Sequence, residues 1–275
     1  WVDTALNPRQ VSLQDYLRSQ DIRFIPPKVT ADSSPHILIA GCGTGQHALH
    51  VAARYDEARV LAVDLSRSSI AYAKRKAEEA GLSDIRFMQA DILDLSQLEE
   101  SFDVIECIGV LHHMKNPLEG WNVLVELLVP SGLMKIGLYS ARARSDVVSA
   151  REEIAALGLR GSPADIRSLR SRIMASRQPH HQQLTMSRDF FSMSEARDML
   201  FHAQEHRFTL PQIKEALDDL GLAFCGFSET ALVRDFERWA SHSEDALDLD
   251  IWHQYEKDYP DSFRGMYQFW CQRRV

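Results

Sequence analysis

The chain has 275 residues, 45% hydrophobic and 25% charged, with a mean hydropathy of −0.27; this is a globular composition and excludes fibrous, disordered and collagen-like classes. Its 31 Lys and Arg against 39 Asp and Glu give a net charge of −8, which argues against a general nucleic-acid binder, whose phosphate-facing surface shifts the balance to basic. No run of about 18 apolar residues exists to span a membrane, and the first ten residues lack a signal peptide's basic and apolar regions, so a cytoplasmic setting is expected.

Residues 1–34 read as a lead-in segment. Ser12 precedes a short amphipathic helix, and Pro26-Pro27 breaks the chain before the first strong strand. Strand-like runs then follow at 36–40, 58–64, 85–91, 102–110 and 132–140, separated by a helical segment to about Arg54, a helix that Ser66 caps and Gly81 stops, and a helix from Pro117 to Val129. Strands joined through single helices require crossover connections, and so a mostly parallel sheet with helices on both faces. Residues 35–140 thus form one unit. The pattern changes at about 141, where Arg-rich helical fragments run to 208, including a helix expected through 192–206. Residues 209–275 return to the sheet through a helix capped by Thr209, a strand at 222–229, an acidic helical insertion at 230–262 and a final strand at 266–273. The chain starts at Trp1 rather than Met, so it is expected to be a fragment or a processed product. Cys42, Cys107, Cys225 and Cys271 are far apart in apolar stretches and without CxxC or zinc spacing, the pattern of buried free thiols.

The first strand runs directly into Gly41-Cys42-Gly43-Thr44-Gly45-Gln46, which opens a helix. Glycines serve where the backbone turns sharply or meets a ligand closely, and a strand–turn–helix unit at the end of a parallel strand forms a ligand crevice. The second strand ends in Asp64, about 20 residues on, where a carboxylate can accept from both ribose hydroxyls of an adenosine. The third ends in Ala90-Asp91-Ile92, where a carboxylate can accept from an adenine amino group. The spacing is GxGxG, with Gln46 in place of the small residue of a dinucleotide fingerprint, which favours S-adenosylmethionine over NAD.

The segments HILIAGCGTGQ, VLAVDLS, QADILDL and FDVIECIGVLHHM resemble the successive motifs of class I S-adenosylmethionine-dependent methyltransferases over residues 35–140. The resemblance implies a Rossmann-like α/β fold with a seven-stranded, mostly parallel sheet and a helical lid insertion. It implies that Gly41, Cys42, Gly43, Gly45 and Gln46 line the methionine portion of the cofactor, that Asp64 holds the ribose with Leu65 beside the adenine, that Ala90, Asp91 and Ile92 hold the adenine, and that Ile108 and Gly109 lie under the methyl. Many members carry an acidic residue two positions before the first motif glycine, where this chain has Ile39. The remainder resembles a bacterial subgroup often fused to tetratricopeptide repeats, which implies such repeats N-terminal to Trp1 and a protein or peptide partner.

Methyl transfer from a sulfonium needs alignment above all, with a base where the acceptor carries a proton. His112 and His113, beside the crevice, are candidates. So are His202, Glu205 and His206, whose i, i+3, i+4 spacing puts them on one face of the expected helix. The same residues show the HxxEH order of a metal-binding helix, but no other zincin-like context accompanies it and no metal is expected. Glu106 reads as a buried strand residue. Arg142 and Arg144, just past the fifth strand, are the candidates for an anionic substrate. The expected activity is methyl transfer to an N or O acceptor on a protein, a peptide or a small acidic molecule. A catalytically silent binding module and an NAD-dependent oxidoreductase are the alternatives.

Overall fold

In a computed structural model, residues 11–25, 34–55, 57–82, 84–240 and 242–274 are described; the Pro26-Pro27 break lies outside them. Seven strands, β1 (His36–Ala40), β2 (Arg59–Asp64), β3 (Arg86–Gln89), β4 (Phe102–Ile108), β5 (Leu128–Leu138), β6 (Leu222–Phe227) and β7 (Tyr267–Arg273), form one sheet in the order β3-β2-β1-β4-β5-β7-β6. β7 runs antiparallel to both neighbours and the other pairs are parallel. The order reverses at β1, where connections leave to opposite sides, and a crevice opens there at the strands' carboxyl ends.

Both faces of the sheet are covered, so its strands are apolar on both sides. Ile37, Ile39, Val60 and Ala62 face α1 (Leu13–Ser19), α2 (Gln46–Arg54) and α3 (Arg67–Glu79). Leu38, Ala40, Leu61 and Val63 share the opposite core with α4 (Pro117–Glu126) and the later helices. The expected caps form: Ser12 and Ser66 accept from the backbone N–H of Asp15 and Ser69, and Gly81 ends α3 with φ +72°. All four cysteines are buried and free, and burial pushes the Cys42 and Cys107 thiols up to about 12.

The junction of α4 and β5 differs from the sequence reading. α4 stops at Glu126, and β5 starts at Leu128 rather than 132. The register of β4 on β5 jumps from Phe102↔Leu128 to Val104↔Leu133, and Ser131 (φ +61°) and Gly132 lie in the displaced stretch. Between β5 and β6, α5 (Ser145–Ala156), α6 (Pro163–Ala175), α7 (Pro179–Leu184) and α8 (Met193–Phe201) form a helical insert with its own core of Val147, Ile154, Leu169, Ile173, Phe190 and Leu200. After α9 (Leu210–Asp219), which Thr209 opens with a capping box to Gln212, the acidic 230–262 segment supplies α10 (Thr230–Trp239) and α11 (Leu249–Asp258). These are not peripheral: Phe236 stacks on Trp252 at 3.7 Å, and both belong to the main core.

The expected helix over 192–206 ends at Phe201. The chain bends at Ala203 and then runs without helix to Phe208: the Phe208 N–H donates to Tyr139 O at 2.9 Å, Ala141 N–H donates to Phe208 O at 2.8 Å, and His206 N–H donates to His112 O at 2.7 Å. His202, Glu205 and His206 therefore do not share a helix face, and the HxxEH metal-helix geometry does not arise.

Candidate functional site

The turn after β1 is built from three left-handed glycines, Gly41 (φ +81°), Gly43 (φ +52°) and Gly45 (φ +90°). At Gly45 a Cβ would stand 2.5 Å from Ala73 Cβ, so close packing of the turn on α3 requires glycine. At Gly43 nothing lies within 4 Å of where a Cβ would point, so its bare backbone faces open space at the crevice. Asp64 fastens this turn: Oδ2 accepts from Gly43 N–H at 2.7 Å and Oδ1 from Ser66 N–H at 2.8 Å. Each oxygen keeps lone-pair capacity. Leu65 next to it is 64% exposed, an apolar platform at the rim, and Gln89 donates to its carbonyl at 3.2 Å. Asp91 Oδ1 accepts from Leu93 N–H at 3.0 Å beside the buried Ile92, with Ala90 tied to Asp64 O at 3.2 Å. Cys42 and Gln46 flank the glycines. Gly109 (φ +77°) follows Ile108 at the end of β4 and faces Met266.

The neighbouring strand carries a carboxylate level with Ile39. Glu106, paired in register with Ile39, is buried and accepts from His47 Nε2 at 2.8 Å. Burial opposes its ionisation, but His47, Lys135 and Arg54 together outweigh this and hold it down at about 2. Sequence reading correctly placed Glu106 as a buried strand residue and did not see its partner, which lies 59 positions away.

Past Gly109 the loop carries the two candidate histidines. His112 is fully enclosed, its ring 4.0 Å from that of Tyr139 and 4.3 Å from that of His113. This enclosure takes it out of reach of an acceptor molecule. Burial first, and the neighbouring His113 second, lower its pKa to about 2. His112 is therefore neutral in the native state and protonates below pH 6.5 when unfolded. The unfolded chain then binds the extra proton, so stability contributed above pH 6.5 is lost as pH falls toward 2, by about 1.4 kcal/mol per unit. Denaturant unfolding at pH 7 and pH 5 measures it: His112→Asn flattens this slope by about one proton, and an unchanged slope contradicts the assignment.

His113 is half-buried, with Nδ1 2.9 Å from Gln204 O. Glu205, whose side chain is 1% exposed, takes Arg144 at 2.6 Å and Arg151 at 3.0 Å. His206 Nε2 meets Gln204 Nε2 at 3.2 Å. The Arg144 guanidinium also lies 3.8 Å over the Tyr139 ring. Arg144, a sequence candidate for an anionic substrate, is thus ion-paired to a buried carboxylate that it shares with Arg151, and the trio keeps one net positive charge. Arg142 is exposed and stands outside the cavity described next.

That cavity, of about 330 Å³, lies between the sheet and the insert. Tyr139, Met266 and Gln268 line it from the strand side, and Arg144, Asp146, Asp189 and Met199 from the insert. Its charges are unequal in availability. Arg144 is held by Glu205, and Arg264 is held by Asp261 at 2.9 Å and by Gln183. Asp146 and Asp189 have no ion pair among the described residues. Burial pushes the Asp146 carboxyl up, with Arg264 opposing. Sequence reasoning missed Tyr139, Asp146, Asp189 and Met266, because they come together only when β5, β7 and the insert meet.

Residues 37–132 match the family of methyltransferase domains. An uncharacterised protein of Synechococcus sp. is 30% identical over 213 residues, 74% of this chain and 50% of that protein. A ubiquinone biosynthesis O-methyltransferase of Actinobacillus pleuropneumoniae is 31% identical over 139 residues, 49% of this chain and 57% of that enzyme. The chain thus spans about half the length of these relatives. The structure of PKMT2 from Rickettsia typhi in complex with AdoHcy superposes with a TM-score of 0.69 at 19% identity, over 94% of this chain and 54% of that one, a likeness of fold. Among the described residues no helix is long and apolar enough to cross a membrane.

Proposed function

We propose, from a chain whose residues 37–132 match a methyltransferase-domain family, that the protein is a class I S-adenosylmethionine-dependent methyltransferase and methylates an amine held in the cavity between the sheet and the helical insert. When bound, S-adenosylmethionine supplies a sulfonium methyl for an in-line displacement that leaves a neutral thioether. The crevice suits it: Gly43 leaves open backbone where a Cβ would intrude, Asp64 has lone pairs left for ribose hydroxyls, and the exposed Leu65 offers the adenine an apolar surface. Gly41, Cys42, Gly45, Gln46, Ala90, Asp91, Ile92, Ile108 and Gly109 complete the cofactor site. The insert, residues 141–208, acts as the lid.

The observation that carries the acceptor class is the state of the cavity's charges. Both lining arginines are already ion-paired, Arg264 with Asp261 and Arg144 with the Glu205 it shares with Arg151, whereas Asp146 and Asp189 have no ion pair among the described residues. A carboxylate substrate would meet two like charges; an ammonium meets two opposite ones. Asp146, a cavity-lining carboxylate, would take the ammonium proton, so that the nitrogen lone pair forms the new N–C bond. The resemblance to repeat-fused enzymes supports an amine borne on a peptide, since repeat arrays present extended binding surfaces.

Incubation with S-adenosylmethionine and, in separate arms, lysine-bearing peptides and amines, carboxylic acids, or phenols tests this by mass spectrometry. The amine arm is expected to release S-adenosylhomocysteine with one methyl on nitrogen, and Asp146→Asn with Asp189→Asn to raise KM for the amine at least about tenfold. Methylation confined to carboxylates or phenols overturns the amine reading. Cofactor binding with no turnover in any arm identifies a binding module instead.

A further inference from the structure

Where the crevice loop meets the insert, two imidazoles and a carboxylate converge. Asp198 lies in the last turn of α8, His202 is one turn further at its C-cap, and His113 comes from the loop after β4. The rings of His113 and His202 stand 3.8 Å apart, 33° between planes. Both direct Nδ1 at one backbone oxygen, Gln204 O, at 2.9 Å from His113 and 2.6 Å from His202. A carbonyl oxygen only accepts, so the His113 ring carries its proton on Nδ1 and its lone pair on Nε2. His202 Nδ1 also accepts from the Gln204 N–H at 3.2 Å, so its ring has two tautomers to choose between, and a metal on Nε2 selects the one with the proton on Nδ1. An imidazole fixed through Nδ1–H to a backbone carbonyl is the arrangement that orients metal-ligating histidines. His202 Nε2 is 3.9 Å from Asp198 Oδ1, and one ligand atom from each of the three residues lies within 4.8 Å of the others. Among the described residues no donor hydrogen-bonds to either Nε2 or to the Asp198 carboxylate. His113 Nε2 and the Asp198 carboxylate, two acceptors beside the His202 ring, make a set that a cation completes.

We propose that His113, Asp198 and His202 bind one divalent transition-metal ion of the zinc class and so fasten the insert to the loop after β4. Two imidazole nitrogens and a carboxylate are a borderline-soft donor set, and a fourth position stays open to solvent. Metal–nitrogen bonds of 2.0–2.1 Å in a tetrahedron need donors about 3.3 Å apart. The Asp198 side chain, 57% exposed, closes from 3.9 Å by rotation. The nearby Glu205 does not join, because Arg144 and Arg151 hold it. A second cluster, Glu153 with His180 and His181, differs: its carboxylate already spans both imidazoles at 2.7 and 3.2 Å.

The test titrates the metal-free protein with Zn²⁺ by calorimetry and with Co²⁺ by visible absorption. The expected result is one equivalent bound, with the thermal midpoint raised by roughly 5–10 °C at a hundredfold excess over Kd. Asp198→Asn and His202→Ala each weaken binding at least about tenfold, while Glu153→Gln binds as the wild type. Circular dichroism is expected to show that Asp198→Asn, at an exposed position, stays folded. Absence of a 1:1 Zn²⁺ complex, unchanged binding in both ligand variants, or loss in Glu153→Gln alone overturns the proposal. Because the readout is metal binding, its outcome is independent of methyl transfer.

Discussion

Asp64→Asn is expected to weaken S-adenosylmethionine binding by roughly 100-fold or more while the chain stays folded. Asp64 has two tasks that need the charge. Its oxygens hold the Gly43 and Ser66 N–H groups at 2.7 and 2.8 Å, which fixes the glycine turn against β2, and in the proposed cofactor site their remaining lone pairs accept ribose hydroxyls. A hydrogen bond to a charged group contributes about 1.5–3 kcal/mol, so losing two acceptor contacts to the ribose is worth two decades of affinity or more. The amide keeps one oxygen acceptor and turns its NH2 toward a backbone N–H, so part of the loss comes from the loosened turn. Calorimetric titration with S-adenosylmethionine, with NAD as a parallel ligand, measures the effect. Wild-type affinity in the variant would remove Asp64 from the site, and NAD binding to the wild type would return the oxidoreductase reading.

The crevice was legible in the sequence because its determinants are local. The apolar run Ile37 to Ala40 is buried on both sides, so it shows as an unbroken strand, and the glycines follow where the backbone must take positive φ. Asp64 sits at the next strand's end because the βα repeat sets the interval. The acceptor side was not legible for the opposite reason. The stretch Phe201 to Phe208 contains no glycine or proline to stop α8, and its side chains continue a helical spacing. It leaves the helix because its backbone pairs with Tyr139, Ala141 and His112 instead, long-range bonds that outweigh local propensity. The roles of His202, Glu205 and His206 changed with that one boundary. Arg144 follows the same logic: a guanidinium just past a strand looks available until the fold brings Glu205 to it from 61 positions away.

Glu205→Ala is the substitution expected to cost the most stability, about 3–5 kcal/mol. Its carboxylate is 1% exposed and bridges Arg144, 8% exposed, and Arg151, 20% exposed. Removing it leaves two cations with little water and no counter-charge. Arg151 retains its bonds to Met199 O at 3.1 and 2.7 Å, and Arg144 retains the Tyr139 ring, so the damage concentrates where the insert joins the sheet. The insert has its own hydrophobic core, and its helices should therefore persist while their attachment weakens. Denaturant unfolding is expected to show an early transition, and limited proteolysis to cut within 141–208 before the sheet. Glu205→Gln, which keeps an acceptor and loses the charge, falls between the two. The released Arg144 also turns a positive charge toward the cavity beside Asp146 and Asp189. Any residual activity of Glu205→Ala should then shift against amine acceptors, with KM rising more than kcat falls. An unfolding midpoint within experimental error of wild type would mean that the bridge contributes nothing and that hydrophobic packing alone seats the insert.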